Sequence, residues 1–406
     1  MLVQFSCSNF RSFRDSFTID MYAEKESTIS SAICSGSITV YPSAVFYGAN
    51  GSGKSNVLKA FAMMRRLILN KDKIMQSTDV LPMDRFKLSE ESSIGSSAFD
   101  VSFFHRGKRY KYGFEYDEKV VYSEYLYVYE SVRRTIVFEY DKAVDNGKIR
   151  ITKYKDLKGI SHLENSLFLV EADRAGNSEV KSVLDWFKSI NVIDNSFSVF
   201  YSTYWEKMND PSMKDLFVSF IRDADTGIND FYTETQTIPF FDSDSSGDSK
   251  TMDRVTIKTV HSVFDKNNAQ TSLIDFDLFR EESFGTQKYF NIIGPVVNAL
   301  MNGTVLFIDE LDASLHPVLT RKIVSLFNGE LNKKGAQLIF TSQDTNLLDQ
   351  TLFDKEQIWF VEKDKFGASH LAALSEYKNV RKGQKIEKNY IMGKYGAIPY
   401  LGDYKF

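Results

Sequence analysis

The pattern of apolar and polar positions changes period several times along the chain. Short alternating runs come first, LVQFS (2–6) and SFTIDM (16–21), and predict strands. The apolar run SAVFYG (43–48) predicts a further strand, which passes through a glycine-rich turn into LKAFAMMRRLIL, where the apolar spacing is helical. From Phe99 to Tyr140 the runs FDVSFFH, RYKYGFEY, VVYSEYLYVYE and RRTIVFEY are aromatic and β-branched and are broken at RGK and DEK, as an antiparallel meander requires. Residues 159–252 differ. SEVKSVLDWFKSI has helical periodicity, PSMKDLFVSFIRDA less regularly so, and FDSDSSGDSK (241–250) has the small, polar composition of a loop. Beyond them a helix after SFGTQ, the strand TVLFID, a helix after HPVLT and the strands AQLIFTS and QIWFVE alternate, which predicts a largely parallel sheet. The expected organisation is therefore an α/β core contributed by 1–158 and 253–406, with an antiparallel β lobe in the first part and a mainly helical insertion at 159–252. No repeat of 20–50 residues and no long heptad run interrupts this scheme.

Composition narrows the function classes. With 406 residues, 43% hydrophobic and 26% charged, the chain is ordinary globular material. Its net charge of −4 excludes a basic coat for non-specific DNA binding but leaves room for a local basic patch. Two cysteines, Cys7 and Cys34, are too few for a disulfide framework, and five scattered histidines offer no zinc spacing. The start MLVQFSCSNF lacks the features of a signal peptide, and no apolar run reaches the roughly 18–20 residues of a membrane span. A cytoplasmic protein without a membrane partner is expected.

Three stretches carry chemistry. GANGSGKS (48–55) matches G-x-x-x-x-G-K-[ST] between a predicted strand and a predicted helix. Backbone N–H groups of such a loop and the helix start wrap phosphate oxygens, while Lys54 reaches the β- and γ-phosphates and the Ser55 hydroxyl holds Mg²⁺. TVLFIDE (304–310) is an apolar strand ending in two acids. Asp309 suits the Mg²⁺ side of the site, and Glu310 suits the orientation or deprotonation of an attacking water. EESFGTQKYF (281–290) precedes that pair by about 20 residues and opens an apolar helix, so a small hydroxyl residue, a glycine and a helix N-terminus form a second anion site. A chain with one P-loop has use for it if Ser283 and Gly285 of one subunit close over the γ-phosphate held by another.

Taken in order, NFRSF (9–13), GANGSGKS, SFGTQ in place of the usual signature, and LFIDELDASLHP (306–317) resemble the ABC-type ATPase heads of the RecF, SMC and OLD-like branch. The resemblance implies ATP and Mg²⁺ as ligands and a sandwich dimer, or a larger ring, as the working form. It places Gly48, Asn50, Gly51, Ser52, Gly53, Lys54, Ser55 and Asn56 around the phosphates and adds Arg11 as a further phosphate contact. Asp312 would link the two sites of a dimer; capping the next helix is its alternative role. The chain departs from the pattern at Gln343, where a switch histidine is usual. A glutamine amide donates a hydrogen bond but carries no charge, so slow turnover is expected. The usual Q-loop glutamine has only Gln76 as a candidate.

The tail NVRKGQKIEKNYIMGKYGAIPYLGDY holds six Lys/Arg against one Glu between Lys378 and Lys394. It resembles the C-terminal segment of abortive-infection ATPases of the AbiLi/RloA type, which implies a co-encoded effector, a nuclease or toxin, as partner. A RecF-like clamp that binds DNA is the alternative. An OLD-like fused nuclease is not expected, because roughly 57 residues follow Asp349, short of the usual domain scale.

Overall fold

The computed structural model describes the chain except residues 24–32, 36–37, 70–74, 131–132, 145–146, 194–210, 225, 241–249, 382 and 400–406; the acidic loop read at 241–250 lies almost wholly outside the described residues. In chain order the strands are β1 (Leu2–Ser8), β2 (Phe17–Asp20), β3 (Ile33–Ser35), β4 (Ile38–Val40) and β5 (Ser43–Tyr47), followed by helices α1 (Lys54–Leu69) and α2 (Glu90–Ile94). The meander is β6 (Ser97–His105), β7 (Lys108–Tyr116), β8 (Val121–Tyr129) and β9 (Arg134–Asp141). Then come α3 (Phe168–Arg174), α4 (Ser178–Ser189), β10 (Asn191–Ile193), α5 (Pro211–Arg222), β11 (Ile228–Phe240), β12 (Lys250–Phe264) and β13 (Gln270–Asp277). The last part holds α6 (Phe284–Asn302), β14 (Val305–Ile308), α7 (Pro317–Asn328), β15 (Gln337–Thr341), β16 (Ile358–Lys363), β17 (Ser369–Ala373) and α8 (Ile386–Ile391).

Two six-stranded sheets organise these elements. The antiparallel one runs β2-β1-β6-β7-β8-β9. The other runs β10-β14-β15-β5-β16-β17 and is parallel from β10 to β16, with β17 added antiparallel at the edge. Its central strands are buried on both faces, as apolar runs without alternation require. Residues pointing one way, such as Phe46, Phe307, Ile339 and Trp359, pack with α1, α4 and the antiparallel lobe. Those pointing the other way, such as Val45, Tyr47, Leu306, Ile308, Leu338 and Phe340, pack with α5, α6, α7 and the tail.

Phe61 sits where the first of these cores is densest. It is fully buried, stacks on Phe307 of β14 at 4.4 Å, and meets Phe5 of β1 at 5.2 Å and Trp186 and Phe187 of α4 at 6.2 Å each. The lobe and the parallel sheet are also tied by a buried amide. Gln337 Nε2 donates to the carbonyls of Leu2 (2.9 Å) and Tyr41 (3.0 Å), and its oxygen accepts the Leu2 N–H.

The helices read in the insertion are present as α4 and α5. Residues 228–277 add something the pattern did not indicate, a three-stranded antiparallel sheet in the order β11-β12-β13. Its strand β12 crosses the expected boundary at 252/253, so hairpin and signature segment are continuous. Most of β13 is exposed on both faces, which is why no in–out alternation marks it in the sequence.

Phe61→Ala should cost about 3–5 kcal/mol of unfolding free energy, because it removes a ring from a closed aromatic cluster. Ile94→Ala, at a side chain 81% exposed, should stay within about 0.5 kcal/mol. Urea denaturation of both variants checks the pair.

Candidate nucleotide site

Strand β5 ends at Tyr47 and the chain turns through Gly48–Gly53 into α1, as the motif requires. Gly51 and Gly53 have φ of +75° and +111°, values that glycine adopts without strain. A Cβ on Gly53 would also collide with the hydroxyls of Ser369 and Ser12. Lys54 is buried, and its Nζ donates to the carbonyls of Gly48 (2.6 Å) and Ala49 (3.1 Å). Burial pushes its pKa down, while Glu310, Asp309 and Asp312 push it back up. The lysine is thus held at the mouth of its own loop with three carboxylates within electrostatic reach.

The acidic pair at the end of β14 is built around one oxygen. Asp309 Oδ1 accepts hydrogen bonds from Ser55 Oγ (2.9 Å) and Thr341 Oγ1 (2.7 Å). The same Thr341 hydroxyl accepts the main-chain N–H of Glu310 at 2.7 Å, and its carbonyl accepts that of Leu311. Glu310 itself has φ +50°, a left-handed conformation that is uncommon outside glycine. Thr341, at the end of β15, therefore orients both acids. It was not singled out in the sequence, where a threonine ending a strand has no distinguishing signal.

A cleft of about 180 Å³ is lined by Ala49, Asn50, Gly51, Gly53, Lys54, Ser55, Asn56, Glu310 and Gln343. Eight of these were expected from sequence. Gly48 and Ser52 lie in the same loop behind the lining. Gln343 faces the cleft from the segment after β15, and its main-chain N–H donates to the Asp312 carboxylate at 3.1 and 3.3 Å. Asp312 therefore holds the switch segment; the N-cap of α7 is His316.

Other expected residues are not in the cleft. Arg11 makes two hydrogen bonds to the Asp84 carboxylate, at 2.7 and 3.0 Å, and the structure does not bring it to the phosphate loop. The turn that carries it presents the next residue instead. Ser12 Oγ accepts from Asn56 Nδ2 at 2.8 Å, and its carbonyl accepts the Ser369 N–H at 2.7 Å. Gln76 occupies an exposed turn with Asp79 and does not line the cleft. Ser283 caps α6 by accepting the Thr286 N–H at 3.1 Å, and Gly285 lies against the Ser314 carbonyl, where a Cβ would come within 2.9 Å. Phe284 between them is 55% exposed. The start of α6 thus faces outward, away from this chain's own phosphate loop. The next turns of that helix pack inward. Lys288 is buried, and Glu310, Asp309 and Asp312 act on its charge while burial lowers its pKa.

The tail braces the switch segment from behind. Glu387 accepts from Thr345 Oγ1 at 3.0 Å, Tyr390 packs on Tyr47 at 5.8 Å, and the Tyr47 hydroxyl donates to the Asp344 carbonyl at 2.9 Å. Glu387 is the one acid between Lys378 and Lys394, and Lys378, Arg381, Lys385, Lys388 and Lys394 of that stretch are exposed.

Residues 43–349 match the family described as "AAA domain, putative AbiEii toxin, Type IV TA system". The chain belongs to this family. Among solved structures it is similar to the SMC head domain from Thermotoga maritima (14% identity, 92% of this chain and 98% of that one, TM-score 0.42). It is also similar to an SmcHead bound to the C-winged helix domain of ScpA (15%, 93% and 98%, 0.43) and to the Smc head with an extended coiled coil bound to the C-terminal domain of ScpA, from Pyrococcus furiosus (13%, 92% and 96%, 0.40). At these values the likeness describes the general fold, and no residue role is taken from it. No match is found among curated proteins. No helix among the described residues is long and apolar enough to cross a membrane.

Thr341→Val should lower ATP turnover by about 10–100-fold, the usual effect of removing an orienting partner behind a metal-side carboxylate, while Thr341→Ser retains most of it. Steady-state phosphate release, alongside binding of a fluorescent ATP analogue to each variant, separates lost orientation from lost binding.

Proposed function

We propose that the protein binds ATP with Mg²⁺ in the cleft between the phosphate loop and Glu310 and hydrolyses it slowly, as a dimer closed around nucleotide. The observation that carries this reading is the shared Asp309 oxygen, which couples Ser55 of the phosphate loop to the strand end that presents Glu310. Ser55 and Asp309 are hard oxygen donors at hydrogen-bond distance from each other, a pair suited to Mg²⁺ bound directly or through water. The ion would neutralise charge on the β- and γ-phosphates. Lys54 leaves the Gly48 and Ala49 carbonyls for phosphate oxygens, the loop amides hold the remainder, and Glu310 orients the attacking water. Gln343 donates a neutral hydrogen bond across the cleft, where a cation would compensate more charge. The outward-facing start of α6, with Ser283 and Gly285, supplies the missing wall to the site of a second copy.

The biological role we assign is regulation of a separate effector in anti-phage defence in the cytoplasm, with nucleotide state setting whether the effector is held. The family's toxin–antitoxin description supports this reading, as does a tail that ties outward-facing cations to the switch segment. Native mass spectrometry of the Glu310→Gln variant, co-expressed with the genes flanking its own, should show an ATP-dependent dimer or larger ring carrying a second protein. A bare dimer that gains mass only with duplex DNA would replace this role with a RecF-like clamp. Gln343→His should raise kcat about tenfold by restoring a charged donor; an unchanged or lower rate in a coupled ATPase assay would show that Gln343 does not limit turnover.

A further inference from the structure

The residue before the outward-facing helix start is held in an unusual way. The side chain of Glu282 is only 8% exposed, although the residue lies between the exposed Glu281 and Ser283. Its Oε1 accepts the Thr259 hydroxyl at 2.5 Å and lies 2.7 Å from His261 Nε2. A carboxylate oxygen accepts, so this contact pairs with the His261 tautomer that carries a proton on Nε2. Thr259 is fully buried, and the His261 ring rests on Phe276 at 4.7 Å, so neither donor is free to swing away. Both belong to β12, the central strand of the β11-β12-β13 sheet. On the other side, Gln287 Nε2 donates to the Glu282 carbonyl at 2.9 Å and ties the same residue into the first turns of α6.

We propose that Thr259 and His261 are positioning residues for the signature: through Glu282 they fix the start of α6, so the insertion sheet and the wall offered to the second subunit's ATP move as one body. This inference rests on the reading of Ser283 and Gly285 as contacts made across a dimer. The packing around it supports a single body. Phe217 of α5, Phe231 of β11 and Phe290 of α6 meet pairwise at 5.0–5.6 Å, and Tyr289 of α6 donates to the Phe220 carbonyl at 2.9 Å. No comparable bond joins Glu282 to the phosphate loop among the described residues. Leverage on the sheet therefore reaches the signature before it reaches the bound phosphates.

The test uses the full-length protein with His261→Ala, His261→Gln, which keeps an N–H donor, and Thr259→Val. Hydrogen–deuterium exchange of the nucleotide-free monomer should show faster exchange over residues 279–290 in His261→Ala and Thr259→Val, and near-normal exchange in His261→Gln. In the Glu310→Gln background at saturating ATP, the dimer dissociation constant from analytical ultracentrifugation should rise at least about tenfold for the two disruptive variants, the scale of a lost hydrogen bond to a charged group. The midpoint of ATP binding to the monomer should shift less than about twofold. Unchanged exchange over 279–290 overturns the clamp itself. Changed exchange with an unchanged dimer constant overturns its role in positioning the wall. If the parent shows no ATP-dependent dimer at all, the dimer reading fails and the proposed positioning role fails with it, while the exchange result still decides whether the clamp exists.

Discussion

Everything at this site depends on a single carboxylate oxygen being shared. Asp309 Oδ1 receives one hydroxyl from the phosphate loop and one from β15, and that second hydroxyl in turn receives the backbone N–H of Glu310. Strands β14 and β15 and the start of α1 are thereby tied together at the C-terminal end of the parallel sheet, where an open α/β sheet presents ligands. A shift of any one of them would leave a buried polar group without a partner, which costs about 1–3 kcal/mol. The chemistry is therefore a property of the sheet edge as a whole, and the individual motifs have meaning only because that edge is rigid.

Around this edge the molecule divides into a stiff part and a lever. The aromatic packing about Phe61 joins the phosphate-loop helix, the acidic strand, α4 and the antiparallel lobe into one solid, with the Gln337 amide as its seam. The α5–α6 pair and the three-stranded sheet form a second unit that packs on the opposite face of the parallel sheet. In the proposed dimer, such a division would let a fixed cradle grip the nucleotide while a separate support carries the wall for another copy.

Much of this was legible in the residues. The phosphate loop and the acid pair follow from motifs whose spacing is enforced by local geometry, and the largely parallel sheet around them follows from the alternation of strand-like and helix-like runs. What was illegible was set by contacts distant in sequence. Ser12 rather than Arg11 reaches the loop because a turn with left-handed residues at Asn9 and Arg11 rotates the side chains by one place. Thr341 and Lys288 matter only through acids that the sheet brings to them. Strand β13 escaped notice because a strand wetted on both faces loses the alternation that marks a strand. Glu282 follows another glutamate in the sequence with nothing to set it apart, and only the packing of its side chain against Thr259 and His261 distinguishes it.

The left-handed backbone at Glu310 has a consequence for how such a protein can change over generations. Holding a glutamate there costs on the order of 1 kcal/mol or more, and glycine would relieve it. Selection for stability alone therefore drives toward Glu310→Gly and loss of the hydrolysis proposed above, so a retained glutamate is a residue kept against the fold's own preference. Relatives that have surrendered turnover and survive as nucleotide-binding scaffolds should give themselves away at this position first.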